Sequence, residues 1–244
     1  MGLERQHMVL DTFVCTEAEP LRADWLSIAS HEFRTPLTVL KLQTQHLHRR
    51  LARQGLDEDV AILAQIEGQL QKLERLQGDL LNVSTMQTGR LAYVEGRVDL
   101  NQLLRESVGV MHQMHPTHTI VVRGAAPTGV LGDAGRLGQV FSNLLSNAIK
   151  YSPHADTVEV EIVSSAEAIT ISVRDHGIGI PQEQHERIFE CFYRAIDASR
   201  QGFPGLGIGL YLVAEIIKQH GGTIRVESVM GQGSTFHVVL PLTR

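Results

Sequence analysis

The chain has 244 residues, 43% hydrophobic and 20% charged, which excludes a disordered or fibrous polymer and allows one large domain or two ordinary ones. With 22 basic against 27 acidic residues, a formal charge of −5, its electrostatics give no reason to expect nucleic acid as a partner. Cys15 and Cys191 stand far apart and fit a reducing compartment better than a disulfide scaffold. No run reaches the ~20 apolar residues of a membrane span and no signal-peptide pattern opens the sequence, so the chain reads as soluble and cytoplasmic.

Residues 1–20 form a leading segment that Pro20 interrupts. From 21 to 86 strand signals are nearly absent. Leu21, Trp25, Ile28, Leu37, Leu40, Leu47 and Leu51 mark one helix. Pro36 stands in its interior, where the lost hydrogen bond costs about 3 kcal/mol. Residues 53–58 supply a glycine turn and acidic residues suited to a helix start. Val60, Leu63, Ile66, Leu70, Leu73, Leu76, Leu80 and Val83 then trace the apolar stripe of a second helix. Two helices with a short loop predict an antiparallel hairpin. Alone it buries each helix poorly, so residues 21–86 read as half of a dimeric four-helix bundle. The alternative is a hairpin packed on its own C-terminal domain.

Beyond a linker at 87–98 the texture changes. Helical spacing over 99–114 is followed by the strand-like THTIVVRG and GVLGD, then by a helix over 135–151 that Ser152-Pro153 stops. TVEVEIV and AITISVRD read as strands, a glycine-rich connection leads to a helix near 207–220, and TIRVES and STFHVVL close the chain. The prediction is an α+β multidomain chain whose residues 99–244 form a mixed sheet with helices on one face, a two-layer α/β sandwich.

Four blocks carry chemistry. In His31-Glu32-Phe33-Arg34-Thr35-Pro36 the imidazole is a good nucleophile near neutral pH. Arg34 and Thr35 share its helical face, whereas adjacent Glu32 must reach round. In Asn143-Leu-Leu-Ser-Asn147-Ala-Ile-Lys150-Tyr151, the residues Asn143, Asn147 and Lys150 or Tyr151 project together while Phe141, Leu144, Leu145 and Ala148 face a core. Amide oxygens suit magnesium without adding charge beside a triphosphate; a solvated polar face is the alternative. Asp175-His-Gly177-Ile-Gly179 ends a strand in a glycine turn, a common arrangement in itself. Gly205, Gly207 and Gly209 precede an apolar helix whose first N–H groups favour phosphate, though neither a Walker nor a dinucleotide pattern fits. His112, His115 and His118 cluster around Pro116, which ends their helix and makes them loop histidines more than metal ligands.

In order and spacing over residues 21–242 these blocks, with Phe189-Glu-Cys-Phe192-Tyr-Arg194, resemble the H, N, G1, F and G2 boxes of sensor histidine kinases of two-component signalling. The resemblance implies a Bergerat-type ATP-binding fold at 99–244, a dimerisation and phosphotransfer hairpin at 21–86 and a signalling segment at 1–20. It makes His31 the acceptor of the γ-phosphoryl group of ATP and Glu32 its base or orienter. Arg34 becomes a phosphate contact, and Thr35 positions water for dephosphorylating the partner. It makes Asn147 the ligand of Mg2+ with Asn143 supporting, and Asp175 the reader of adenine, whose N6 amine donates where guanine's O6 accepts. Gly177 and Gly179 would let the backbone approach the base. Lys150, Tyr151, Phe192, Arg194, Gly205, Gly207, Gly209, Leu210 and Thr235 complete the nucleotide site, under a lid at about 181–204 that Pro204 stiffens. The implied partners are a second copy and a response-regulator receiver domain. Membrane attachment would come only through segments outside this sequence. A plain ATPase of the same superfamily leaves the His31 block unexplained. A non-catalytic scaffold predicts decay of the nucleotide positions.

Overall fold

The computed structural model describes residues 33, 36–54, 56–87, 94–127, 129–195, 203 and 206–242. They fall in two compact units, Met1–Leu91 and Ala92–Arg244.

The first unit is a helical pair, α1 (36–54) and α2 (Asp57–Gln87). Lys41 Nζ lies 2.8 Å from Glu74 and His48 Nδ1 lies 3.3 Å from Glu67. Moving two turns forward on α1, from Lys41 to His48, moves two turns back on α2, from Glu74 to Glu67, as antiparallel helices require. Such half-exposed pairs are worth ~1 kcal/mol or less, so they mark register more than they supply stability. Leu63 and Leu70, also two turns apart, are buried. Leu40, Leu47, Ile62, Ile66 and Leu73 stay exposed. Among the described residues no helix is long and apolar enough to cross a membrane.

The second unit begins with β1 (Gly96–Val98), α3 (Leu100–Met114), β2 (Thr119–Gly124), β3 (Val130–Gly132) and α4 (Ala134–Lys150). It continues with β4 (Thr157–Ser164), β5 (Ala168–Arg174), α5 (Gly209–Gln219), β6 (Thr223–Val229) and β7 (Gly233–Pro241). Aspartates start the two longer helices. Asp99 caps the amides of Asn101 and Gln102, and Asp133 caps that of Arg136. The main sheet runs β2-β4-β5-β7-β6, parallel only between β2 and β4.

Strand alternation sends Val158, Val160 and Ile162, then Ile169, Ile171 and Val173, then Phe236, Val238 and Leu240, to one buried face. Leu137, Phe141, Leu144 and Leu145 of α4 and Leu212, Val213, Ile216 and Ile217 of α5 are buried with them. Each such side chain contributes about 1.5–3 kcal/mol relative to exposure. Residues 96–98, assigned above to the linker, form a ribbon with β3 and belong to this unit. Three residues, one of them buried, carry too little alternation to be read as a strand.

Candidate functional site

The site is built first on α4. With its apolar side buried, Asn143, Asn147 and Lys150 are left half-buried on the remaining face. Neither asparagine amide forms a hydrogen bond among the described residues. Lys150 Nζ lies 2.9 Å from the Tyr151 hydroxyl and 4.5 Å from the centre of its ring. The Tyr151 ring meets Phe203 edge-on at 5.1 Å.

At the end of β5, Asp175 is only 5% exposed. Its Oδ1 accepts from the Gly177 amide at 2.9 Å and from the Ser234 amide at 3.2 Å. Burial pushes its pKa up, and those two amides, the neighbouring His176 and the Ser152 side chain oppose the rise without cancelling it. No hydrogen bond among the described residues goes to the second oxygen, Oδ2. The Ser152 hydroxyl, buried beside Gly177, lies near enough to the Asp175 carboxyl to lower its pKa, without closing a hydrogen bond among the described residues.

The turn that follows is held by backbone. Ile178 N–H donates to the Tyr151 carbonyl at 3.1 Å, and Gly231 N–H donates to the Ile178 carbonyl at 2.8 Å. A β-carbon at Gly177 would collide with the Tyr151 carbonyl. One at Gly179, whose φ is +72°, would collide with that of Val229. The two glycines therefore admit neighbouring protein backbone, where the sequence had pointed to backbone approaching a base. Their duty is to let the turn sit between the end of α4 and the β6–β7 turn.

Residues 181–195 fold as two short 3-10 turns, Gln182–Gln184 and Arg187–Phe189, anchored by buried Ile188. The Arg187 guanidinium lies 4.4 Å over the Tyr193 ring, and Arg194 donates to the Phe203 carbonyl. Phe192 is 54% exposed at φ +65°, sparsely populated for an aromatic residue, and its N–H donates to the Gly207 carbonyl at 3.1 Å. Gly209 opens α5, whose first turn has no side-chain cap, and Leu210 follows half-buried. The Asn143 side-chain oxygen is 3.5 Å from where a Gly209 β-carbon would stand, so the α4 amide face meets the start of α5.

Three local groups result. Asn143 meets Gly209. Asp175, Gly177 and Gly179 meet Tyr151 and the β6–β7 turn. Phe192 meets Gly207, while Arg194 and Tyr151 meet at Phe203. Thr235 is displaced from this set. Strand alternation turns it to the face it shares with His237, and the amide that grips Asp175 is that of Ser234. Sequence reasoning missed Ser234, Ser228 and Ser152; a serine in a strand, or just past the end of a helix, carries no signal of its partner. His31, Glu32, Arg34, Thr35 and Gly205 lie outside the described residues.

Comparison with known proteins yields two family matches. Residues 132–244 match the histidine kinase-, DNA gyrase B- and HSP90-like ATPase family. Residues 21–89 match the His Kinase A phospho-acceptor domain. The chain is 34% identical over 234 residues to the sensor-like histidine kinase SenX3 of Mycolicibacterium smegmatis, covering 91% of this chain and 58% of that protein. It is 32% identical over 230 residues to the sensor protein kinase WalK of Staphylococcus saprophyticus, covering 92% of this chain and 37% of that protein. Among solved structures, full-length ShkA in complex with AMPPNP superposes with a TM-score of 0.70 at 27% identity, covering 91% of this chain and 46% of ShkA. The chain thus spans between 37% and 58% of these curated relatives.

Proposed function

The chain belongs to the sensor histidine kinases of two-component signalling, and from that premise we propose that it is a catalytic core that phosphorylates its own His31. In this reading the α/β unit binds ATP. A neutral imidazole nitrogen of His31 attacks the γ-phosphorus, the bond from that phosphorus to the bridging oxygen breaks, and ADP leaves as the imidazole gives up its proton. Glu32 orients the ring or takes that proton, and Arg34 steadies phosphoryl oxygens. The phosphoryl group then passes to an aspartate of a response-regulator receiver domain in the cytoplasm. Thr35 would position water for the reverse, dephosphorylating activity.

The observation that carries the reading is the state of Asp175. Its carboxylate is buried and clamped through Oδ1, and its other oxygen is left as an acceptor for an adenine amine. Asn143 and Asn147, half-buried and unpaired among the described residues, have the oxygen donors that magnesium takes. When bound, the ion neutralises triphosphate charge. The uncapped start of α5 at Gly209, beside Asn143, offers N–H groups to phosphate. That the ShkA structure holds AMPPNP supports an adenine nucleotide as the ligand. The exposed stripe of Leu40, Leu47, Ile62, Ile66 and Leu73 supports a second copy of the helical hairpin as the bundle partner.

The test is incubation with Mg-ATP labelled at the γ position. The protein should acquire acid-labile, base-stable label, and His31→Gln should acquire none. Label that persists in His31→Gln removes His31 from the role. Steady ATP hydrolysis by the parent protein without labelled protein makes it a plain ATPase.

A further inference from the structure

Ser228 lies on β6, across from Ser234 in the ladder with β7. Its hydroxyl oxygen accepts from the Ile180 N–H at 2.8 Å, and its O–H points to the Gly233 carbonyl at 2.9 Å. The Ser234 hydroxyl lies 2.9 Å away and completes the set by donating to the same oxygen. Ile180 closes the turn that begins at Asp175, whereas Gly233 and Ser234 lead into β7. One hydroxyl therefore joins the far end of the Asp175 turn to the segment that supplies the second amide on Oδ1. Besides that amide on Oδ1, the junction is crossed by two backbone pairs: Gly231 N–H to the Ile178 carbonyl at 2.8 Å and Asp175 N–H to the Ser234 carbonyl at 2.8 Å.

We propose that Ser228 is a positioning residue for base recognition, setting the orientation of the Asp175 carboxylate through Ile180 on one side and Gly233 and Ser234 on the other. The inference rests on the adenine-reading role given to Asp175 above. Ser228 itself does not touch the nucleotide. It is half-buried, so its removal leaves the Ile180 N–H without its acceptor and the Gly233 carbonyl without its donor. Both losses fall on the two segments that aim Asp175. A purely structural serine would lower stability and leave base preference alone. A positioning serine changes base preference, because the angle of one carboxylate decides between an amine and a carbonyl.

The experiment uses the whole chain and measures affinity for Mg-ATP and for Mg-GTP, with melting temperature in parallel, for Ser228→Ala, Ser228→Thr and Asp175→Asn. Ser228→Ala is expected to weaken ATP binding about three- to tenfold, as the loss of one or two neutral hydrogen bonds implies, and to lower the ATP-over-GTP ratio by a similar factor. Ser228→Thr keeps the hydroxyl on a residue suited to a strand and should restore both. If Ser228→Ala keeps the parent ratio within twofold while Asp175→Asn loses it, the inference fails and the reading of Asp175 stands. A Ser228→Ala protein that melts lower but, when folded, keeps parent affinity and ratio also overturns it. If Asp175→Asn keeps the parent ratio, the adenine-reading role falls and this inference with it.

Discussion

Asp175→Asn separates the two duties of this buried carboxyl. The amide oxygen can still accept from Gly177 and Ser234, as Oδ1 does at 2.9 and 3.2 Å, so the turn keeps its clamp. The other oxygen becomes an NH2 group, a donor facing the adenine amine. A hydrogen bond to a charged acceptor is worth about 1.5–3 kcal/mol, so ATP affinity should fall roughly 10- to 150-fold. Stability moves the other way. Burial raises the folded-state pKa of Asp175 above its unfolded value. The ionised group is then a liability in the native state. Its contribution is most favourable below the unfolded pKa and is lost as pH rises through the folded one. At neutral pH a neutral amide removes that liability, so the melting temperature should hold or rise. The assays are calorimetric titration with Mg-ATP and a thermal melt at neutral pH. Parent-like ATP affinity would refute the base-reading role. A drop of more than about 4 °C, roughly 1 kcal/mol or more for a unit of this size, would refute the claim that the amide preserves the clamp.

Three further outcomes follow from other parts of the molecule. Asn147→Asp adds negative charge beside the triphosphate and should weaken Mg-ATP binding about tenfold or more without changing oligomeric state by sedimentation; unchanged affinity removes Asn147 from the site. Burial alone would raise the pKa of Asp133, but the amides of Val94, Arg136 and Gly135 more than offset it and hold the group low. Its stabilisation is therefore present above the unfolded value near 3.8 and lost as pH falls through the lower folded value. Asp133→Ala should cost about 1 kcal/mol at pH 7, the usual loss for a helix cap, and should flatten the fall in melting temperature below pH 4; an unchanged acid slope contradicts this. Pro36→Ala restores a helix N–H and removes a defect worth about 3 kcal/mol, so the ratio of kinase to phosphatase activity should shift; if neither activity changes, the proline is a tolerated kink.

What was legible in the sequence was whatever carries a period. The alternation of β4, β5 and β7 and the apolar side of α4 gave the layers, and the same α4 pattern isolated Asn143, Asn147 and Lys150 on one face. Asp175 was legible only through the order and spacing of the blocks it stands among, since a strand ending in a glycine turn is common in itself. What stayed hidden were contacts made by backbone atoms or across long separations. The Ser234 amide and Asp175 are 59 residues apart, and the Ile180 amide and Ser228 are 48 apart. No residue type announces that the Tyr151 carbonyl will occupy the space a Gly177 side chain would need. Thr235 shows how little error is tolerated, since one residue along a strand reverses the face, and it is Ser234 that belongs to the Asp175 junction.

The two units are specified in opposite ways, and this bears on how each tolerates change. Around Asp175 the geometry is fixed by amides and carbonyls of four segments, so conservative replacement of most side chains leaves the acceptor where it is. A change at Asp175 itself, or at a glycine that admits backbone there, strikes that frame directly. The helical unit has no comparable frame. Its register is marked by the half-exposed pairs Lys41–Glu74 and His48–Glu67, and its buried contacts at Leu63 and Leu70 use one stripe of α2. Ile62, Ile66 and Leu73 recur at helical spacing on α2, as Leu40 and Leu47 do on α1, and a lone hairpin leaves all five in water. A second copy of the hairpin would cover them, and the stability of the phosphoacceptor unit would then depend on protein concentration, while that of the nucleotide unit would not.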